Sequence, residues 1–488
     1  MKFFLSQFSI FLILQINVIG VFSQSDLELV KNEIVENAYL KNATIGIQVV
    51  DLATGEILVE HQKQTSVAPA STTKLFATAS AYEIIGADYQ PKTRIYYQGE
   101  ISSAGVLKGD VWIRGGGDVA LGSRYFTDNE SDFLDLWADT LYKMGLRKVQ
   151  GSVIGDGSEF GYAGAPDGWS WSDMGNYYGS GPAGLSIYDN MLKYYFKVNS
   201  VLGAVPVLTK TFPEVEGFHF YNYISGSKAR GDNSYIYGAP YSLDRFGTGY
   251  LQMNSTIMVK GSLPDPELQF AVELKKALIK RGILVSESAK GARTLNLTSA
   301  WKRYSKDHQL IYTHVGKSVN AIATWTNQKS VNLFAEQLVC LIGYQKNGDG
   351  STDNGLKQMN QYWNSRINTS GLYLKDGSGL SRSNGISAEH FCSLLNFMHQ
   401  SKNKEVFKAT LPIAGISGTL SDVCRNQTGH GRVFAKSGTM SRIKSYAGYV
   451  DTKSGKKLAF AIIFNNYNCS NSYLMNIIEK FMNTMAAQ

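Results

Sequence analysis

Pro69-Ala70-Ser71-Thr72-Thr73-Lys74-Leu75-Phe76-Ala77-Thr78-Ala79 decides how the chain is read. Two short residues and a threonine pair open an apolar run, which predicts a helix that begins close to Ser71. Residues three apart on a helix share one face, so the Ser71 hydroxyl and the Lys74 amine come within touching distance. An amine beside a hydroxyl is one way to make serine nucleophilic without histidine. The spacing alone carries little. It recurs at Ser225/Lys228, Ser299/Lys302, Ser401/Lys404, Ser441/Lys444 and Ser454/Lys457. Ser71 is set apart by its helix-start context and by two further motifs downstream.

Upstream of this helix, Ala43 to Val50 and Glu56 to His61 flank the turn sequence 51–55 and predict a β-hairpin. A helical spacing of Leu27, Leu29, Val30, Ile34, Val35 and Ala38 precedes it. The C-terminal end mirrors this. A short strand at Val433 to Ala435 leads into Lys436-Ser437-Gly438-Thr439. Tyr446 to Val450 and Leu458 to Phe464 form a second hairpin, and a helix over 473–486 carries Leu474, Ile477, Ile478, Phe481 and Met482 on one face. Both ends therefore supply hairpin plus helix to one domain, and the middle is an insertion. That middle holds strand-and-turn patterns at 109–118 and 150–157, a tyrosine-rich β stretch from Tyr194 to Val259, and a helix over 264–282. A structureless loop of such length is not expected. The predicted division is a catalytic domain of 24–95 and 309–488, an inserted α/β domain of 96–190 and 260–308, and a nested β-rich domain of 191–259. The tyrosines suit either sheet packing, the commoner use, or contact with sugar rings.

The 488 residues, 43% hydrophobic and 18% charged, are those of a folded protein of two or three domains. Lys2 and the apolar stretch from Phe3 to Phe22, followed by small residues, predict a secretory signal peptide (1–23) with cleavage after Ser23; an uncleaved anchor is the alternative. No later segment is long and apolar enough for a membrane span. The expectation is an exported protein, periplasmic or associated with the cell wall. Four cysteines (Cys340, Cys392, Cys424, Cys469) either pair or stay as buried thiols, and match no zinc spacing. The net charge of +8 leans toward anionic surroundings, but no basic block is dense enough for nucleic acid.

The second motif is Ser330-Val331-Asn332, in which a hydroxyl and a carboxamide can flank one substrate; read alone, the serine is equally a helix N-cap. The third is Lys436-Ser437-Gly438-Thr439. A lysine and hydroxyls beside a glycine on a strand suit an anionic substrate end, and strand N–H groups can hold an oxyanion. A strand-end turn is the plainer reading.

Ser-x-x-Lys, Ser-x-Asn and Lys-Ser/Thr-Gly, in this order, form the signature of penicillin-binding proteins and related β-lactamases. The chain resembles more narrowly the low-molecular-mass class C penicillin-binding proteins, which are D-alanyl-D-alanine carboxypeptidases and endopeptidases. The resemblance covers nearly the whole mature chain. It includes 69–74, Gly115-Gly116-Gly117-Asp118, 169–173, 261–266, 332–336, 376–382 and 436–439. It implies an α/β (α+β) fold: a β-lactamase/transpeptidase-like domain, with an antiparallel sheet flanked by helices, interrupted by inserted mainly-β domains. It implies peptidoglycan stem peptides as substrate, β-lactams as inhibitors, and no metal or cofactor. Ser71 would be the nucleophile and Lys74 its base, made neutral by the like charge of Lys436. Ser330 with Lys436 would protonate the leaving amine, beside Asn332. The N–H groups of Ser71 and Thr439 would form the oxyanion hole, while Ser437 and Thr439, around Gly438, bind the terminal carboxylate. Asp173, Tyr178, Arg382, Met440 and Ser441 would line a pocket for the stem's diamino acid, such as meso-diaminopimelate; an interdomain ion pair is the plainer reading of Asp173 and Arg382. Val331 replaces the family's Asp, and Ser437 its Thr. A β-lactamase, or a non-catalytic wall- or β-lactam-binding protein of the same fold, remain the alternatives. None of the seven histidines sits in a recognisable triad motif.

Overall fold

The computed structural model describes residues 26–297, 304 and 307–488. The signal-peptide prediction falls outside them. A five-stranded sheet joins the two ends of the chain, in the order Val433–Met440, Ile443–Asp451, Lys457–Asn465, Thr44–Asp51, Ile57–His61. Every pairing is antiparallel, and both predicted hairpins are present. The central pairing runs from Thr44 opposite Asn465 to Asp51 opposite Leu458.

Side-chain alternation along the Lys457–Asn465 strand sorts the two layers that cover this sheet. Leu458, Phe460, Ile462 and Phe464 face one way, into a core with Leu27, Val30 and Ile34 of the N-terminal helix and with Leu474, Ile478 and Phe481 of the Asn471–Ala487 helix. Ala459, Ala461 and Ile463 face the other way. Their small size admits the Ala388–Gln400 helix close to the sheet, with the Lys74–Ile84, Asn332–Asn347 and Thr352–Asn364 helices behind it. The result is a sheet between two helical layers.

The insertion builds a seven-stranded sheet in which Lys92–Ile101 pairs with Val106–Arg114 on one side and His308–Val315 on the other. The Asp132–Lys143 and Pro266–Arg281 helices pack on it through Trp137, Leu141, Phe270 and Leu274. Asp265 caps the second helix by accepting from the Leu268 N–H at 3.0 Å, and Gly282, at φ 96°, ends it. Two three-stranded sheets follow: Ser255–Ser262, Met191–Val198 and Val207–Phe212 form one, and Asp232–Tyr237, Asp244–Gln252 and His219–Ser227 the other. The boundaries predicted at 95, 259 and 309 fall inside the paired strands 92–101, 255–262 and 308–315. A strand is held along its whole length by its neighbours, so a structural boundary lies at its end and not within it.

All four cysteines are unpaired, three of them buried. Among the described residues no helix is long and apolar enough to cross a membrane.

Candidate active site

Ser71 lies in a single 3-10 turn, Ala70–Thr73, which runs directly into the Lys74–Ile84 helix. The turn is tied down on all sides. Thr72 and Thr73 donate to the Pro69 and Ala70 carbonyls at 2.8 Å each, Ser445 donates to Pro69 O at 2.5 Å, and Asn465 Nδ2 donates to Ala68 O at 2.9 Å. Ala70 adopts φ 51°, a left-handed conformation unusual for a residue with a side chain. Backbone strain of this kind is held only where the surroundings fix it, as these bonds do.

Lys74 Nζ is fully buried and has three oxygen neighbours: Ser71 Oγ at 3.0 Å, Asn332 Oδ1 at 2.7 Å and the Ser378 carbonyl at 2.7 Å. The last two are obligate acceptors. A neutral amine has two N–H bonds and one lone pair, so the two carbonyls take its hydrogens and the lone pair is left for the Ser71 hydroxyl. Burial lowers Lys74 from its ordinary 10.5 to about 7, against the opposing charges of Asp376 and Glu336. The expected cause was the charge of Lys436. Desolvation of a fully enclosed ammonium does it instead, and the repulsion between the two lysines is a lesser influence that weighs on Lys436.

The Ser378 carbonyl is held in place by two buried carboxylates. Glu336, on the Asn332–Asn347 helix, accepts from the Gly377 and Ser378 N–H groups at 2.9 and 2.7 Å. Asp376 accepts from Gly379 N, Ser381 N and Asn384 Nδ2 at 2.8, 2.6 and 2.8 Å, and from Trp169 Nε1 in the insertion at 2.9 Å. Burial and the Asp376 charge push Glu336 up to about 8. Gly379, at φ 81°, passes so close to the nucleophile turn that a Cβ there would lie 1.9 Å from Ala70 O.

Ser330 also takes a positive φ, 57°, in the short link between the Val319–Gln328 and Asn332–Asn347 helices. The N-cap of the second helix is Val331, which makes no capping bond, so Ser330 is not a cap. Its hydroxyl instead accepts from Lys436 Nζ at 2.9 Å. Lys436 is fully buried, donates also to Ser437 O at 2.7 Å, and has its pKa drawn well below the ordinary range by burial and then by Lys74. Asn332 opens the helix and works in two directions: its Oδ1 accepts from Lys74, and its Nδ2 donates to Tyr178 O at 2.8 Å.

The Val433–Met440 strand is an edge of the five-stranded sheet; its first residues are bridged on the outer side by the 412–414 segment, and beyond Ala435 no other strand among the described residues pairs with that side. Gly438 sits directly against the nucleophile turn: a Cβ there would lie 2.6 Å from Pro69 O and 2.9 Å from Ser71 N. Ser437 Oγ donates to Thr419 Oγ1 at 2.8 Å, and Thr439 Oγ1 accepts from Lys444 Nζ at 3.0 Å. Lys444 lies opposite Thr439 in the strand register; burial alone lowers its pKa.

Ser71, Asn332 and Thr439 open into a cleft of about 510 Å³ together with Asp173, Tyr178, Arg382, Met440 and Ser441. Asp173 and Arg382 do not form a salt bridge. Tyr178 OH donates to Asp173 Oδ1 at 3.3 Å, and the Arg382 guanidinium reaches Ser441 O at 3.4–3.5 Å, long contacts that leave both charges available. Burial raises the Asp173 pKa, against the Tyr178 hydrogen bond and the Arg382 charge.

Residue spacing did not point to Glu336, Asp376, Ser378, Thr419 or Lys444 as parts of the site. Asp376 and Glu336 lie in segments that carried the family resemblance, without a role. Lys444 appears in the sequence only as half of another Ser-x-x-Lys, and its place follows from strand register.

A profile of the D-Ala-D-Ala carboxypeptidase 3 (S13) family matches residues 29–488. The chain belongs to this family. It is a serine-type D-Ala-D-Ala carboxypeptidase, a peptidase of the hydrolase class. It is 29% identical over 455 residues to the D-alanyl-D-alanine carboxypeptidase of Actinomadura sp. (strain R39), covering 89% of this chain and 80% of that one. It is 24% identical to D-alanyl-D-alanine carboxypeptidase DacB of Haemophilus influenzae, over 88% and 86% of the two chains. The crystal structure of penicillin binding protein 4 (dacB) from Haemophilus influenzae superposes with a TM-score of 0.77 at 21% identity, covering 94% of this chain and 99% of that one. That likeness establishes the fold: the S13 chain carries its insertion in the same architecture.

Proposed function

We propose that this S13 carboxypeptidase works through an acyl-enzyme on Ser71, with neutral Lys74 as general base. The observation that carries the reading is the pairing of Lys74's three oxygen neighbours: two carbonyls that take its hydrogens and one hydroxyl that meets its lone pair. Ser71 Oγ attacks the carbonyl of the penultimate D-Ala as its proton passes to Lys74 Nζ. The carbonyl oxygen becomes negative between the N–H groups of Ser71 and Thr439. The C–N bond breaks, and the leaving amine of the terminal D-Ala takes, by way of the Ser330 hydroxyl that Lys436 holds in place, the proton that Lys74 removed from Ser71. Water then adds to the ester and releases the shortened stem peptide. When the leaving amine belongs to a second stem peptide, the same steps constitute endopeptidase cleavage.

The terminal carboxylate is received by the Thr439 hydroxyl and by that of Ser437, whose one hydrogen turns from Thr419 to the carboxylate when substrate binds. Thr419 and Lys444 orient the two hydroxyls from behind, and Lys444 adds a positive charge. Asp173 and Arg382 flank the cleft as a carboxylate and a guanidinium, matched to a side chain that carries both an amine and a carboxylate. The expected signal peptide and the wall-peptide chemistry together support export to the periplasm or cell wall.

The test is the intact mass of the protein after brief exposure to benzylpenicillin, beside its Ser71→Ala variant. A stable penicilloyl adduct on the wild type alone is expected. No adduct with intact penicillin overturns the catalytic assignment, and no adduct with rapid hydrolysis makes the site that of a β-lactamase.

A further inference from the structure

The three-stranded sheet formed by 232–237, 244–252 and 219–227 has two unlike faces. Ile224, Ile236 and Leu251 are fully buried on its inner side. The middle of the outer face is made of three cross-strand rows, Tyr237–Phe246–Tyr221, Tyr235–Thr248–Tyr223 and Asn233–Tyr250–Ser225, bordered by the His219–Asp244 pair at one end and by Ser227 and Gln252 at the other. Six of these nine positions are aromatic, and none is aliphatic or charged. Tyr221, Tyr223, Tyr235 and Tyr250 are 45–64% exposed. Single exposed rings are ordinary on a protein surface, whereas a contiguous group marks a contact site. The rings are ordered among themselves: Tyr221 and Phe246 stack at 5.2 Å with 19° between their planes.

This face is continuous with the catalytic cleft. Tyr235 lines the cleft beside Asp173 and Arg382. Trp171, two residues before Asp173 and 51% exposed, lies 6.3 Å from the Tyr237 ring. Rings therefore extend from the cleft rim across the sheet to its far strand.

We propose that this outer face is a docking platform for the sugar chain from which the stem peptide hangs, an inference that rests on the carboxypeptidase reading of the cleft. A pyranose ring offers flat C–H faces edged with hydroxyl and amide groups. Tyrosine faces meet the first at little entropic cost, and the phenol, Asn233, Thr248 and Ser225 groups meet the second. The core of a protein interface draws on Met and Arg beside its aromatics, and an anionic lipid surface calls for Lys and Arg; the nine positions of this face include none of them, and the Met258 and Lys260 that line a hollow with Asn233 and Tyr235 belong to the neighbouring 255–262 strand. A stem peptide seated at Ser71 places its attached sugar outside the cleft, where the rings begin.

The experiment compares the full chain with a Tyr223→Ser/Tyr250→Ser variant, two exposed positions away from the catalytic residues. Three readouts are taken: co-sedimentation with insoluble peptidoglycan, binding to glycan strands stripped of peptide, and turnover of a soluble sugar-free peptide ending in D-Ala-D-Ala. Penicilloyl labelling of Ser71 confirms that the variant is folded. The expected result is at least a tenfold loss of binding to both glycan samples, with sugar-free turnover within twofold of wild type. Wild type that ignores peptide-free glycan, or a variant that binds it as well as wild type, overturns the proposal. So does a wild-type dimer that the variant dissolves, because the occupant is then a second copy. Loss of wild-type turnover on the sugar-free peptide bears on the catalytic reading instead, and leaves the glycan result to stand separately.

Discussion

Acylation of Ser71 should follow the deprotonation of a single buried amine, and this fixes its pH profile. Lys74 is enclosed completely, and burial brings it from 10.5 to about 7. An unperturbed lysine is neutral about one time in 3,000 at neutral pH, whereas this one is neutral about half the time. The neutral fraction grows from about 1% near pH 5 to about 90% near pH 8, so the acylation rate should climb roughly 90-fold across that range and then level off. The assay is rapid-quench labelling by a fluorescent penicillin whose own charge does not change in that window. Lys74→Met should lower the rate by about 10²- to 10⁴-fold and abolish the rise. A flat profile, a limb near pH 10, or a fast Met variant would refute the assignment of Lys74 as base. The same burial has a stability consequence whose sign is set by linkage. Between about 7 and 10.5 the unfolded chain binds a proton that the folded chain does not, so stability rises with pH across that window. The penalty grows as pH falls and saturates below about 7 at roughly 5 kcal/mol. The Met variant should lose Lys74's share of this slope in urea titrations, whatever its absolute stability, while the shares of buried Lys436 and Lys444 remain.

Two substitutions probe the scaffold. Gly379→Ala combines a φ of 81° with a Cβ 1.9 Å from Ala70 O, and neither atom belongs to a flexible side chain; it should cost more than about 1 kcal/mol and slow penicillin labelling at least tenfold, and an unchanged melting temperature and labelling rate would contradict the close approach. Val331→Thr keeps a branched side chain against the apolar cluster while supplying the missing N-cap oxygen to the Asn332–Asn347 helix; it should add about 0.5–1 kcal/mol in urea unfolding, and a loss would show that the apolar contact of Val331 outweighs the cap.

Local spacing made the three motifs legible. Ser71 and Lys74 are neighbours because of helix geometry, and the two hairpins were visible as alternation around glycine-containing turns. The remainder of the site depends on contacts that no spacing encodes. The base is oriented by a peptide carbonyl, that of Ser378, and a carbonyl has no sequence signature. Lys444 reaches Thr439 only because the 433–440 and 443–451 strands pair in one particular register. The lowered basicity of Lys74 was expected from a neighbouring charge because lysines are easy to count in a sequence, whereas complete enclosure belongs to the packed helices around it. The unit boundaries drifted by a few residues into paired strands because strand ends are set by the partner strand.

The pairing of Thr44–Asp51 with Lys457–Asn465 has a consequence for the order of events during synthesis. The first of the two strands that precede the nucleophile hydrogen-bonds to one that leaves the ribosome about 400 residues later, and Lys436 lies on the same late hairpin system. Early stretches can form their helices and the inserted sheets can close, but a nascent chain has no complete reaction centre until its final portion is made. A prematurely terminated polypeptide of this sequence would therefore be catalytically silent. The last strands to emerge act as the assembly checkpoint of the enzyme.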